Sequence, residues 1–158
     1  MDQIDDAAFL SRIKLLLVDD EDRFRSTLSK RLAEKGVVAE TAANGVEALK
    51  VVKSKPVDVI VLDIKMPEMD GIETLRHIKK MNPDIEIILL TGHANIESAV
   101  EGMRLGAYDY LMKPCDLEQL LEKITEAWTA KRDREKKAVR NGMQEKMDYW
   151  QKHWSRSS

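Results

Sequence analysis

The segment Ile13-Lys14-Leu15-Leu16-Leu17-Val18 is a short apolar run, and four acidic residues follow it directly, Asp19-Asp20-Glu21-Asp22. Near-continuous runs of leucine and β-branched residues are typical of strands that are buried on both faces of a parallel sheet. The same pattern recurs in three later segments, which are followed by Asp63, Thr91 and Lys113: residues 57–62, 85–90 and 108–112. A weaker run covers residues 36–42. We therefore expect five strands, four of which end at a polar or charged side chain.

Helical patterns separate these runs. Apolar residues recur at helical spacings in five segments, and each set is expected to face the sheet. The sets are Phe24/Leu28/Leu32, Val46/Leu49/Val52, Ile72/Leu75/Ile78, Ala99/Val100/Met103 and Leu117/Leu120/Leu121/Ile124/Trp128. The alternation of strands and helices predicts an α/β fold with right-handed crossovers, a (βα)5 doubly wound, five-stranded parallel sheet.

The composition describes a highly charged globular chain of 158 residues, with 43% apolar and 34% charged residues. The longest mostly apolar stretch, residues 87–100, contains Glu97 and is shorter than the ~20 residues of a membrane span. Residues 1–6 contain three aspartates and no apolar run, and the single Cys115 excludes a disulfide framework or a cysteine-rich zinc site. We therefore expect a cytoplasmic protein that does not enter a membrane.

The strand ends predict a binding site. Ligands of parallel α/β sheets bind beyond the carboxyl ends of the strands, where this chain places Asp19, Asp20, Asp63, Thr91 and Lys113. Three neighbouring carboxylates need a cation in order to ionise together, and oxygen ligands suit Mg²⁺. The Thr91 hydroxyl and the Lys113 ammonium are groups that can bind phosphoryl oxygens. Asp63 is therefore a candidate nucleophile toward phosphorus. Each residue alone fits a helix start, a turn cap or a loop, but their coincidence at the strand ends favours a site.

The motifs at these strand ends resemble, in order and spacing, those of the receiver domain of two-component response regulators, from about residue 14 to residue 128. The matching segments are Leu15-Leu16-Leu17-Val18-Asp19-Asp20-Glu21, Val61-Leu62-Asp63-Ile64-Lys65-Met66-Pro67-Glu68-Met69-Asp70-Gly71, Leu89-Leu90-Thr91-Gly92-His93 and Gly106-Ala107-Tyr108-Asp109-Tyr110-Leu111-Met112-Lys113-Pro114. The resemblance implies a flavodoxin-like fold, similar to that of chemotaxis-regulator receivers.

The resemblance also implies a role for each site residue. Asp63 is expected to accept a phosphoryl group from a phosphohistidine of a sensor histidine kinase. Asp20 and Asp63 would bind Mg²⁺, with Asp19 assisting through water and the backbone carbonyl of Lys65 as a further ligand. Lys113 and Thr91 would contact the phosphoryl oxygens. Tyr110 occupies the position of the family's switch aromatic, which turns inward on phosphorylation. The peptide bond before Pro114 is usually cis in this family.

The implied function is a signalling switch rather than an enzyme with an external substrate. Phosphorylation of Asp63 is expected to change the binding of partners, which makes a stand-alone receiver our first expectation. Two alternatives stay open, because no motif discriminates between them. One is a phosphorelay intermediate that passes the phosphoryl group to a histidine phosphotransfer protein. The other is the receiver fragment of a larger transcriptional regulator.

The C-terminal segment differs from the rest of the chain in charge. Residues 129–158 contain nine Lys/Arg and four Asp/Glu, a net +5, whereas the remaining 17 basic and 24 acidic residues give −7. We therefore divide the chain into an N-terminal segment (1–12), a receiver domain (13–128) and a basic, helical tail (129–158). The mixed signs make a poor track for phosphates, so no nucleic-acid partner is expected.

Within this tail, Asn141-Gly142 is expected to interrupt the helix. A second helix would then carry Met143, Met147, Trp150 and Trp154 on one face. This face could pack on the receiver, form a homodimer or bind another partner, and a loosely ordered linker is the remaining interpretation.

Overall fold

The computed structural model describes residues 8–92 and 95–154. Five strands lie in one parallel sheet in the order β2-β1-β3-β4-β5. They are β1 (Leu15–Val18), β2 (Ala39–Ala42), β3 (Val59–Asp63), β4 (Glu86–Thr91) and β5 (Asp109–Met112). The main helices are α1 (Asp22–Glu34), α2 (Gly45–Ser54), α3 (Gly71–Met81), α4 (Ile96–Arg104) and α5 (Leu117–Trp154). This is the predicted doubly wound, flavodoxin-like architecture with a helical C-terminal extension.

The sheet separates two apolar cores, because successive side chains of a strand point to opposite faces. One core packs Leu15, Leu17, Val59, Val61 and Leu90 against α1 and α5. The other packs Leu16, Val18, Ile60, Leu62 and Leu89 against α2, α3 and α4. The central strands are buried on both faces, which is why their sequences read as unbroken apolar runs.

The buried faces of two helices match the prediction only in part. Leu49 and Val52 of α2 pack against the core and Ala99 of α4 is buried, as predicted. Val46 is 45% exposed, and Ala48 takes the buried position of α2. Val100 and Met103 are 43% and 37% exposed, whereas Ala99 and Gly102 face the sheet in α4. Small residues let these helices approach the sheet closely, so the largest apolar side chains do not mark the buried face.

The predicted interruption at Asn141-Gly142 is wrong, because α5 continues through it from Leu117 to Trp154. A glycine in a helix interior costs only about 1 kcal/mol relative to alanine, and good helix formers such as Gln144 and Lys137 flank this one. The helix has 38 residues and is therefore ~57 Å long. The four residues of the tail face lie on this one helix rather than on a separate one.

Polar contacts hold α5 against the amino ends of β3 and β4, where the helix extends beyond the sheet. Asp58, just before β3, accepts hydrogen bonds from Trp128 Nε1 (3.2 Å) and Lys131 Nζ (3.0 Å). Arg134 pairs with Glu86 at the start of β4 (3.0 Å). We call these five residues the helix junction; it fixes the direction in which the extension leaves the sheet.

The part of the chain that the structure describes contains no helix with the length and apolar character needed to cross a bilayer.

Candidate functional site

The register of the sheet brings three of the predicted site residues together. Val18 of β1 pairs with Leu62 of β3, so Asp19 lies level with Asp63. Asp63 pairs with Leu90, and Leu90 pairs with Leu111, which places Lys113 two residues further along. Because side chains alternate along a strand, all three point to the face covered by α1 and α5.

Lys113 links the two carboxylates. Its Nζ lies 2.8 Å from Oδ2 of Asp19 and 3.7 Å from Oδ1 of Asp63. The Lys113-Pro114 bond is cis, as the family resemblance implies. The two distances from Nζ place the ammonium inside the site rather than in solvent, with a half-buried side chain.

Three carboxylates form a compact oxygen donor set. Asp19, Asp20 and Asp63 each offer an oxygen, and these oxygens lie within 4.8 Å of one another. Asp19 and Asp63 are buried, whereas Asp20 is exposed. Hard divalent cations such as Mg²⁺ prefer such all-oxygen sites, so the residues present fit the predicted metal.

The electrostatics explain why a cation suits this place. Burial, and then the neighbouring charge of Asp19, raise the pKa of Asp63 from 3.8 to about 6, although Lys113 opposes the shift. Burial alone would lower the pKa of Lys113, but its hydrogen bond to Asp19 and the charge of Asp63 outweigh that effect and raise it. The site holds more negative charge than a single ammonium balances.

The backbone around the carboxylates fixes their positions. The amide of Glu21 donates to Oδ1 of Asp19 (2.9 Å), and Arg25 donates to the Asp19 carbonyl (2.6 Å). The amide of Lys65 donates to Oδ1 of Asp63 (3.4 Å). Lys65 therefore lies directly beside Asp63, while metal binding by its carbonyl stays a prediction.

Thr91 and Tyr110 lie on the other face of the sheet. Leu89 pairs with Tyr110 and Thr91 with Met112, so these four side chains share the face covered by α2, α3 and α4. Thr91 is fully buried, and its hydroxyl donates to the carbonyl of Gly92 (3.1 Å). Tyr110 is half-buried against that core. Thr91 is one residue beyond Leu90, the strand partner of Asp63.

Sequence reasoning missed two supporting residues. The ring of Phe24, which we assigned to a core stripe, is half-buried, and the Lys113 ammonium lies 4.3 Å from its centroid. Gly71 lies against the loop after β3, where a Cβ would collide with the carbonyl of Asp63 and with Ile64. Phe24 stands five residues after Asp19, but its spacing fits a core stripe equally well, so no signal in the sequence separates the two roles.

Comparisons with known proteins agree with this geometry. The sequence model described as "Response regulator receiver domain" matches residues 15–125. A putative NtrX-like response regulator of Rickettsia conorii is 39% identical over 120 residues, which are 75% of this chain and 25% of that protein. The regulatory protein AtoC of Escherichia coli is 43% identical over 107 residues, 68% of this chain and 23% of its own length.

Solved structures give the same result. A response regulator receiver domain protein from Clostridium thermocellum has a TM-score of 0.73 at 34% identity, over 76% of this chain and 97% of that one. NtrX from Brucella abortus, crystallised with ADP, has a TM-score of 0.75 at 30% identity, over 79% of this chain and 29% of that one. This chain spans about a quarter of the length of the curated relatives named above. The chain belongs to the response regulator receiver domain family.

Proposed function

We propose that this chain is a phospho-accepting switch in which Asp63 takes a phosphoryl group from a phosphohistidine of a sensor histidine kinase. The observation that carries the proposal is the environment of Asp63 at the carboxyl end of β3. It is a buried carboxylate with a raised pKa, within 3.7 Å of an ammonium and beside two further aspartates. A cytoplasmic location belongs to the same proposal, since the single cysteine suits a reducing compartment.

Asp20, Asp63 and the backbone carbonyl of Lys65 would hold Mg²⁺, with Asp19 assisting through water. The ion supplies positive charge that keeps Asp63 ionised and neutralises phosphoryl oxygens. Asp20 is exposed to solvent, whereas Asp19 is already held by Lys113 and by the amide of Glu21. We therefore expect Asp20 to contribute mainly to binding the ion and Asp19 also to the structure.

In the transfer, a carboxylate oxygen of Asp63 attacks the phosphorus, and the phosphorus–nitrogen bond of the donor breaks. The imidazole nitrogen leaves with the bonding electron pair. Lys113 pairs with one phosphoryl oxygen and so exchanges part of its contact with Asp19. The hydroxyl of Thr91 turns from the Gly92 carbonyl to donate to another.

The output follows from the movement of Thr91. Tyr110 lies on the same face of the sheet, half-buried beside it, and it would turn inward as Thr91 moves toward the phosphoryl group. This changes the surface built by α4, β5 and the start of α5. The proposed function is thus a change in partner binding rather than turnover of an external substrate.

The test of this proposal is labelling by acetyl phosphate in Mg²⁺. The wild-type chain should gain one phosphoryl group by mass spectrometry, and Asp63→Asn should gain none. Asp58→Asn is the matched control, because Asp58 lies at the opposite end of the same strand, and it should be labelled normally. Full labelling of Asp63→Asn would refute the assignment.

A second arm separates metal binding from folding. Asp20→Ala should keep its thermal stability in the absence of metal and lose Mg²⁺ binding in calorimetric titrations. Asp19→Ala should lower the free energy of unfolding by about 1–3 kcal/mol, because it leaves the Lys113 ammonium partly unpaired. Normal Mg²⁺ binding by Asp20→Ala would contradict its role.

A further inference from the structure

The end of α5 carries an exposed apolar face. Met143, Met147, Trp150 and Trp154 are 60%, 56%, 59% and 70% exposed, and Trp150 and Trp154 contact each other edge to face. We call these four residues the tail stripe. Their spacing of four, three and four is the heptad spacing with which two helices pack knobs into holes.

The tail stripe does not face the domain from which it extends. At about 100° per residue the stripe lies roughly a third of a turn around the helix axis from Ile124 and Lys131, which face the sheet. Glu118, in the first turn of α5, contacts the receiver through its ion pair with Lys35. Trp154 lies about ten helical turns beyond Glu118, far from that contact. Because α5 is continuous and the helix junction holds it, the stripe cannot fold back onto its own receiver.

The charges of the extension change where the stripe begins. Residues 129–142 contain six Lys/Arg and two Asp/Glu, a net +4. Residues 143–154 contain two of each, a net charge of zero. The charge-balanced half therefore carries the apolar face, and the basic half separates it from the receiver.

We propose that the tail stripe packs antiparallel against the tail stripe of a second copy of this chain. Met143 then lies opposite Trp154 of the partner subunit, and Met147 opposite Trp150 of the partner subunit. An aromatic side chain buries about 150–250 Å², so the pair would bury on the order of 1,000 Å² in total. This buried area is slightly below ~1,200 Å², the lower end of the range for stable interfaces, and is therefore consistent with a reversible dimer.

The charge pattern favours the antiparallel arrangement over the parallel one. Arg140 and Lys136 continue the spacing of the stripe toward the receiver. In a parallel pair, each of these two residues would therefore face the same basic residue of the partner subunit. Antiparallel packing instead places each basic half beyond the end of the partner's stripe and keeps the acidic receivers apart. Lys136 and Arg140 therefore face their own copies in the parallel pair, and this repulsion is absent from the antiparallel one.

Sedimentation equilibrium of the full chain tests whether the occupant is a second copy. We expect a monomer–dimer equilibrium with a dissociation constant between about 1 and 500 µM, consistent with a small interface. Trp150→Ala should weaken the dimer at least about tenfold, since each dimer loses two rings. Lys152→Gln is the matched control, because Lys152 is exposed on the opposite face of the same helix, and it should leave the dimer dissociation constant within about threefold.

Spin labels report the orientation. Asp133→Cys, in a Cys115→Ser background, places a single label on an exposed residue of the basic half. Antiparallel packing should separate the two labels by about 45 Å, whereas a parallel pair would bring them within about 25 Å.

The proposal does not depend on phosphorylation, so a failure of Asp63 labelling leaves it standing. A wild-type chain that stays monomeric across the whole range would overturn it and make a different protein the occupant of the stripe. Equal effects of Trp150→Ala and Lys152→Gln would place the interface elsewhere. A short distance between the labels would establish a parallel pair.

Discussion

Two aspartates at opposite ends of β3 show how surroundings assign a role to one residue type. Asp58 is surrounded by donors: the Lys14 amide, Trp128 Nε1 and the Lys131 ammonium. Asp63 instead faces Asp19 and shares Lys113 with it. The first arrangement stabilises a carboxylate within the fold, whereas the second leaves negative charge available for a cation and a phosphoryl group.

This difference predicts a pH-dependent stability. The pKa of Asp63 is raised from 3.8 to about 6 in the folded state, so folding favours the protonated form. Without metal, the ionised carboxylate therefore costs the folded state up to ~3 kcal/mol above pH 6, and the cost disappears as the pH falls toward 4. Asp63→Asn should raise the free energy of unfolding by about 1–3 kcal/mol at pH 8 and hardly at all at pH 4.

Urea denaturation in EDTA at several pH values measures this difference. Asp58→Asn serves as the control, because it removes an ion pair with Lys131 and should destabilise the chain at pH 8. An Asp63→Asn variant that is less stable than the wild type at pH 8 would mean that Asp63 is compensated within the fold by Lys113.

The central site could be predicted at the residue scale because few steps separate the sequence from the geometry. The apolar runs set the register, and the register places Asp19, Asp63 and Lys113 at one edge. The contact of Phe24 with Lys113 could not be predicted in this way. It depends on how α1 begins after the acidic segment, and the same spacing also suits a core residue.

At the scale of elements, α5 shows the limit of local signals. Asn141-Gly142 is a turn signal, but the helix formers on both sides outweigh the cost of one glycine. Val46, Val100 and Met103 were wrongly assigned to the buried faces of α2 and α4 for a related reason. Packing selected the small residues Ala48 and Gly102, while apolar periodicity gives most weight to the largest side chains.

The continuity of α5 predicts the effect of filling its glycine. A Cβ at Gly142 would meet no atom within 4 Å, so Gly142→Ala should stabilise the extension by about 0.5–1 kcal/mol. Amide exchange of residues 137–150 should slow severalfold. Gly102→Ala is the contrasting variant, because its Cβ would collide with Leu89 and should lower the stability of the domain. Unchanged or faster exchange in Gly142→Ala would indicate a bend at Asn141-Gly142 in solution.

At the scale of the whole molecule, α5 connects the two ends of the sheet. It begins four residues after Lys113, at the carboxyl end, and it passes Asp58 and Glu86 at the amino end. A single helix therefore joins the proposed phosphorylation site to the tail stripe. The stripe faces the side of α1, whereas Lys123 on the opposite side of α5 pairs with Asp109 of β5 (3.1 Å). A shift of β5 could thus reach the stripe only by moving the whole helix.

This connection predicts that a phosphoryl group on Asp63 changes the self-association of the chain. A phosphoryl group adds about two negative charges, and Lys113 must shift to pair with it. Because α5 follows Lys113 so closely and is continuous, we expect the shift to alter the populations of two arrangements of the extension. A coupling of about 1 kcal/mol, common between linked sites, would change the dimer constant about fivefold.

Sedimentation with Mg²⁺ and beryllofluoride, which mimics the phosphoryl group, measures this coupling. Tryptophan emission of the wild type and of Trp150→Phe/Trp154→Phe gives an independent reading; Trp128→Phe is avoided, because Trp128 donates to Asp58 in the helix junction. Asp63→Asn should show neither change. If beryllofluoride binds the wild type and both readings stay constant, the extension is uncoupled from Asp63, and the helix junction absorbs the movement of β5 before it reaches the tail stripe.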